Sequence, residues 1–178
     1  MWKPNIPSHE KDKQVAEAVL SLGANLGNRA ATLHAAIAMM QETMIVTNVV
    51  VSPLYETEPV GYSKQPPFLN CAVRGDCVLS PDDLAHALRN VEQYYGRQLR
   101  PRWHERELDI DIILLGNTIV AFEHLYIPHP RMNQRRFVLQ PVTDIAASMR
   151  HPILGKTMEQ LLEECTDTHA VKLYTEQS

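Results

Sequence analysis

The chain has 178 residues, of which 44% are hydrophobic and 21% charged. That is the length of one domain with enough apolar content to bury a core, which excludes a disordered chain. Lys and Arg number 17 against 21 Asp and Glu, a net charge of −4, which weakens the case for a bulk nucleic-acid-binding surface and leaves room for a local basic site.

Three cysteines, Cys71, Cys77 and Cys165, are too few and odd in number for a disulfide framework, and they suit buried thiols in a reducing compartment. Every apolar run falls short of the roughly 18 residues that suggest a membrane span. The opening MWKPNIPSHEKDKQ lacks the apolar centre of a secretory signal. Residues 1–14 read as a flexible polar tail and 15–178 as a single domain. The expectation is a cytoplasmic monomer with no nucleic-acid or membrane partner.

Taken in chain order, Ala18 to Leu22 predicts a short strand and Gly23 to Asn28 a turn. Ala30, Leu33, Ile37, Met40 and Met44 recur at spacings of three and four, the apolar stripe of a helix. Ile45 to Tyr55 is rich in β-branched residues and should be extended. Glu56 to Pro67 carries Pro59, Gly61, Pro66 and Pro67 and predicts a loop long enough to be functional. Phe68 to Leu79 predicts a strand. Ser80-Pro81-Asp82-Asp83 is a helix start: a capping hydroxyl, a proline for the first turn, and acids at the positive end. That helix should run through Leu84, Leu88, Val91 and Tyr95 and stop at Gly96. An arginine-rich loop follows from Arg97 to Glu107, then an apolar strand from Leu108 to Leu115. Beyond Gly116-Asn117 the pattern weakens, with short helices predicted at Phe137–Ile145 and Met158–Cys165. The order strand–helix–strand–strand–helix–strand predicts an α+β, ferredoxin-like βαββαβ sandwich. Its antiparallel sheet should carry the helices on one face and loops with a ligand site on the other.

The sharpest chemical feature is Leu108-Asp109-Ile110-Asp111-Ile112. Alternation along a strand puts Asp109 and Asp111 on one face, roughly 7 Å apart, and Leu108, Ile110, Ile112 and Leu114 on the other. Paired carboxylates invite a divalent cation, or two about 4 Å apart, and hard oxygen ligands favour magnesium. Two solvent-facing acids on an exposed sheet would give the same spacing. Arginines then tilt the reading. Arg97, Arg100, Arg102 and Arg106 crowd one loop, and Arg131, Arg135 and Arg136 another, together 7 of the 17 basic residues. Acids that hold magnesium beside arginines that take phosphate oxygens are the parts of polyphosphate chemistry. His129, in Ile127-Pro128-His129-Pro130, lies beside the second cluster and could donate to a phosphate. Phe68 and Asn70 share a strand face, an aromatic and an amide suited to a flat heterocycle.

Other motifs fail. Gly155-Lys156-Thr157 resembles the end of a P-loop, but Arg150 stands where the first glycine belongs. No Gly-x-Ser-x-Gly occurs, and Cys71 and Cys77 have no neighbouring zinc ligands. A ferredoxin-like RNA binder would need a basic glycine–aromatic motif, which the central strands lack.

Six segments in order resemble one family, the 6-hydroxymethyl-7,8-dihydropterin pyrophosphokinases of folate biosynthesis. They are Ser21-Leu22-Gly23-Ala24-Asn25-Leu26-Gly27-Asn28, Tyr55-Glu56-Thr57-Glu58-Pro59-Val60-Gly61, Gln65-Pro66-Pro67-Phe68-Leu69-Asn70, Arg106 to Ile112, Ile127 to Met132, and Arg135-Arg136-Phe137-Val138-Leu139. The resemblance spans about Val19 to Cys165. It implies transfer of the β,γ-diphosphate of ATP to the pterin hydroxymethyl oxygen with release of AMP. It implies that Asp109 and Asp111 hold two Mg²⁺ ions, with Arg97 and Arg106 among the catalytic groups. It places Glu92, Arg97, Trp103, Arg106, Ile112, His129 and Arg135 on ATP, with Trp103 in a closing loop. It places Thr57, Val60, Phe68, Asn70 and Phe137 on the pterin, with Phe68 and Phe137 sandwiching the ring. Where the family often has Gly-Pro ahead of the key arginine, this chain has His104-Glu105, which implies altered loop closure because a glycine bend is lost.

Overall fold

β1 (Ala16–Ala24) is buried on both faces from Ala18 onward, which makes it a central strand. In the computed structural model, which describes residues 14–59, 65–98 and 105–175, it pairs antiparallel with β4 (Phe68–Cys77) on one side and β5 (Asp109–Leu115) on the other. β2 (Thr47–Val51) and β3 (Tyr55–Thr57) both pair with β4. The single extended segment expected over Ile45–Tyr55 is thus two strands. The break falls at Ser52-Pro53. There Ser52 Oγ accepts from the Ala72 amide at 2.9 Å, while Pro53 has no amide to offer a ladder.

α1 (Arg29–Glu42) is capped by Asn28, whose Oδ1 accepts from Ala31 N at 3.1 Å. It buries Ala30, Leu33, Ala36, Ile37 and Met40. Met44 does not extend this stripe as the spacing predicts. The helix ends at Glu42, Met44 turns left-handed at φ 56°, and its side chain is 68% exposed. Ile45 takes the buried place, its amide reaching back to Met40 O. α2 (Pro81–Tyr94) starts where expected, with Ser80 Oγ accepting from Asp83 N, and ends before Gly96 at φ 84°.

α1 and α2 cover one face of the sheet over Leu20, Leu22, Cys71, Val73, Ile110 and Ile112. This is the expected ferredoxin-like sandwich. The opposite face is shared. Part of it, at Val19, Ala72, Ile113 and Leu114, is covered by α3 (Arg136–Ala146) and α4 (Met158–Glu163). Leu114 was expected beside Ile110 and Ile112, but it lies on this second face. Leu20 pairs with Ile112 while Val19 pairs with Leu114, so Ile113 is an extra residue in β5 and the alternation slips there.

Three short pieces had no sequence signal: a hairpin of β6 (Val120–Phe122) and β7 (Leu125–Ile127), and β8 (Val171–Leu173), which pairs with β3 at the sheet edge. Strands of three residues are too short to show an alternation. Among the described residues no helix is long and apolar enough to cross a membrane.

Candidate active site

The register across the three middle strands builds the floor of a cavity. Gly23 faces Asn70 on one side and Asp109 on the other; Ser21 faces Ala72 and Asp111. Small residues on β1 therefore lie between the acids of β5 and the amide of β4, and the floor stays open. The cavity above it is about 500 Å³, the size of a small-molecule site.

Twelve of the fourteen residues singled out from the sequence line this one cavity: Thr57, Phe68, Asn70, Glu92, Arg97, Arg106, Asp109, Asp111, Ile112, His129, Arg135 and Phe137. The other two, Val60 and Trp103, lie outside the described residues, as does His104. The structure adds lining residues the sequence did not suggest. Arg89 is one turn before Glu92 on α2. His124, Leu125 and Tyr126 come from the unforeseen hairpin, and Ser21 and Gly23 from the floor.

Charge is concentrated at the β5 end. Asp109 Oδ1 accepts from Arg97 Nη2 at 2.9 Å and from Arg106 Nη1 at 2.7 Å. Arg97 also pairs with Glu92 through Nη1. Glu92 is buried in the helix–sheet interface at 3% exposure, and its Oε1 accepts from Ile110 N at 2.7 Å. Burial is the main force on its carboxyl and raises the pKa to about 7; Arg97 and the Ile110 amide pull the other way. Asp111 is raised to about 6, first by burial and then by Asp109, against the pull of Arg135, Arg106 and Arg97. Its side chain still opens onto the cavity at 42% exposure, so an incoming cation can reach it.

His129 Nε2 stands 3.9 Å from Asp111 Oδ2, and its Nδ1 accepts from the Arg131 amide at 3.2 Å. That bond puts the proton of the neutral ring on Nε2, facing the cavity. Burial, then Arg135 and Arg131, lowers its pKa to about 4. The ring is therefore a neutral donor at physiological pH.

At the other end the character changes. Phe68 and Phe137 line the wall, and the Arg135 guanidinium lies 5.6 Å from the Phe137 ring centroid. Asn70 Nδ2 donates to Thr57 Oγ1 at 2.6 Å, with both side chains buried. One residue ties the two ends together. Asn25, 2% exposed, donates through Nδ2 to Gln65 Oε1 and Pro66 O, each at 3.1 Å, and accepts the Arg106 amide on Oδ1 at 2.8 Å.

No group of three or more His, Cys, Asp or Glu side chains among the described residues is arranged to hold a metal. Two carboxylates on one strand face are instead the donor set that suits magnesium, which keeps waters and takes substrate phosphates as its remaining ligands.

Residues 19–147 match the family model of 7,8-dihydro-6-hydroxymethylpterin-pyrophosphokinase. The chain belongs to this family. A 2-amino-4-hydroxy-6-hydroxymethyldihydropteridine pyrophosphokinase from Bacillus subtilis is 37% identical over 143 residues, covering 80% of this chain and 86% of the relative. Its counterpart from Haemophilus influenzae is 35% identical over 156 residues, covering 88% and 97%. The wild-type Plasmodium falciparum HPPK-DHPS crystal structure superposes with a TM-score of 0.67 over 88% of this chain at 16% identity. That likeness speaks to the fold alone, and the present chain spans 42% of that longer protein. The cavity of this pyrophosphokinase-family chain carries an acidic and arginine-rich end next to an aromatic and amide end.

Proposed function

We propose that this cavity is where the chain transfers the pyrophosphoryl group of ATP to the hydroxymethyl oxygen of 6-hydroxymethyl-7,8-dihydropterin, giving AMP and the pterin diphosphate. The observation that carries the reading is the convergence, over one sheet face, of Asp109 and Asp111 with Arg97, Arg106, Arg135 and His129, opposite Thr57, Phe68, Asn70 and Phe137.

Asp109 and Asp111 would hold the magnesium ions that accompany the triphosphate. Bound there, magnesium supplies charge neutralisation on the phosphate oxygens and a lowered pKa for the attacking hydroxyl. The remaining work falls to side chains. Arg97 and Arg106 rest on Asp109. They would exchange that carboxylate for phosphate oxygens, so no charge is left unpaired. Glu92 keeps Arg97 oriented during the exchange, because its own carboxyl is anchored on Ile110 N. His129 donates its Nε2 proton to a phosphate oxygen without adding charge. Arg135 bridges the two ends, near the phosphates and against Phe137.

The pterin ring would lie between Phe68 and Phe137, its edge read by Asn70 and Thr57. The hydroxymethyl oxygen then points toward β5 and attacks the β-phosphorus in line. A new oxygen–phosphorus bond forms as the bond from that phosphorus to the AMP oxygen breaks, and the hydroxyl proton leaves to solvent. Catalysis is positioning and electrostatics, with no side chain required as a dedicated base. The reading extends to residues 15–178 acting as one monomeric domain. A cytoplasmic setting agrees with three free, buried cysteines.

The experiment is an AMP-release assay with the purified chain, MgATP and the dihydropterin. Stoichiometric AMP and pterin diphosphate are expected. AMP release that does not depend on the pterin, or none at all, overturns the reading.

A further inference from the structure

α3 begins at Arg136, and Arg135 occupies its cap position. A guanidinium has donors but no acceptor, so Arg135 cannot satisfy a first-turn amide. The acceptor comes from far along the chain. Asp167 Oδ2 takes the Arg136 amide at 2.9 Å. The Arg136 side chain returns the contact, Nε to Asp167 O at 3.1 Å and Nη2 to Cys165 O at 3.4 Å. Asp167 Oδ1 is held by the His169 amide at 3.1 Å and by His169 Nδ1 at 2.5 Å, and the Asp167 side chain is only 8% exposed.

Arg136 lies between two residues of the cavity, Arg135 and Phe137. Fixing its backbone nitrogen fixes the direction of both neighbours. The same C-terminal segment runs on into β8, whose Val171 pairs with Thr57, a residue of the other cavity wall. Residues 165–173 therefore strap both walls of the aromatic end. This strap lies beyond the stretch that matches the family model.

We propose that Asp167 is a positioning residue for the transfer reaction, its carboxylate capping α3 from a distance and thereby aiming Arg135 and Phe137 at the substrates. The inference rests on the pterin reading of the aromatic end. Without the cap, the first turn of α3 frays, and only the fraction of molecules with a formed turn binds. Apparent affinity falls by that fraction. The usual worth of a helix cap shifts the ratio of frayed to formed turns about fivefold, which is the upper limit of the loss in affinity.

The test is calorimetric titration of the full chain with the hydroxymethyl-dihydropterin, in the presence of magnesium and a non-hydrolysable ATP analogue. Asp167→Ala is expected to bind the pterin more weakly, by between about two- and fivefold. Asp167→Asn keeps an acceptor oxygen and should stay within about twofold of wild type. A role confined to stability would lower the melting temperature and leave the affinity of the folded protein unchanged, so wild-type affinity in Asp167→Ala overturns the proposal. Should that variant not fold, Asp167→Ser serves: its hydroxyl is one bond shorter than the carboxylate and falls short of the Arg136 amide that Asp167 Oδ2 now takes at 2.9 Å. Weakened pterin binding supports the proposal, and unchanged binding sinks it. Phe137→Ala separates the two layers of inference. If Phe137→Ala binds pterin like wild type, the pterin assignment itself fails. If it binds poorly while Asp167→Ala does not, the pocket stands and the cap role falls.

Discussion

Gly23 and Asn70 face each other across β1 and β4 so closely that a methyl group on Gly23 would meet Asn70 Oδ1 at 2.7 Å. The Asn70 amide is already fixed on its other side by Thr57 Oγ1, so it has nowhere to retreat except into the cavity. Gly23→Ala should therefore leave the fold intact and push the amide into the space proposed for the pterin ring. The expected loss is about tenfold in pterin affinity, the scale of overpacking a tight site, with the ATP KM little changed. Pterin and ATP KM values measured side by side check it. An equal rise in both would mean that the amide does not belong to the pterin end.

Asp111 is the more exposed of the two β5 acids, 42% against 30% for Asp109, and among the described residues the nearest histidine nitrogen stands 3.9 Å away. Asp111→Ala removes one of only two carboxylates on the β5 face. Turnover should fall at least about a thousandfold, the scale of losing metal-assisted charge stabilisation. ATP-independent pterin binding should change far less, because Phe68, Asn70 and Phe137 are untouched. Chelating divalent ions from the wild-type protein should copy the loss, and adding magnesium back should reverse it. Turnover that survives both treatments would rule out the role of the acids.

The acids and the aromatic–amide pair were legible because strand alternation is a local property. Two residues apart on a strand means the same face, and Asp109 with Asp111, or Phe68 with Asn70, needs nothing more. The helix stripes were legible for the same reason, up to Met44, where a left-handed residue ended the period. What stayed hidden depends on distant partners. The extra residue at Ile113 shows only in the pairing of β5 with β1. The hairpin that brings His124 and Tyr126 into the cavity is made of strands too short to carry a pattern. Asp167 caps a helix 31 residues away, a relationship no window of sequence contains.

Asn25 is the buried link between the Gln65–Pro66 side of the cavity and Arg106. Asn25→Ala removes both contacts and leaves the Arg106 amide without its side-chain acceptor. A loss of about thirtyfold in kcat/KM is expected, from the scale of an unsatisfied buried group. Asn25→Asp is more selective. It keeps the acceptor for Arg106 N but loses the donor to Gln65 and Pro66. Steady-state kinetics should then show the pterin KM rising in Asn25→Asp, and both substrate KM values rising in Asn25→Ala. Identical behaviour of the two variants would show that the residue does not couple the two sides.

His151 gives a pH prediction away from the cavity. Its ring is buried, at 6% exposure, and Nδ1 accepts from the Ile153 and Leu154 amides, each at 3.2 Å. A proton on Nδ1 would face two donors. Burial lowers the pKa of the ring below its ordinary 6.5. The unfolded chain therefore binds a proton first, and the stability His151 contributes is present above about pH 6.5 and lost as pH falls through the folded value. His129, lowered to about 4, has the same sign. Glu92 and Asp111, raised to about 7 and about 6, have the opposite sign: the folded state holds their protons more tightly, so they add stability as the solution turns acid. The four effects partly cancel in the whole protein, and a pH profile of wild type alone does not isolate any of them. The difference between wild type and His151→Asn does. Asparagine offers an acceptor oxygen that does not titrate in this range. The stability gap between the two proteins, from urea unfolding at pH 7.5 and pH 5, should narrow at the lower pH, because only the wild type loses its histidine contribution. A gap that stays constant would mean that the Ile153 and Leu154 amides do not depend on a neutral His151.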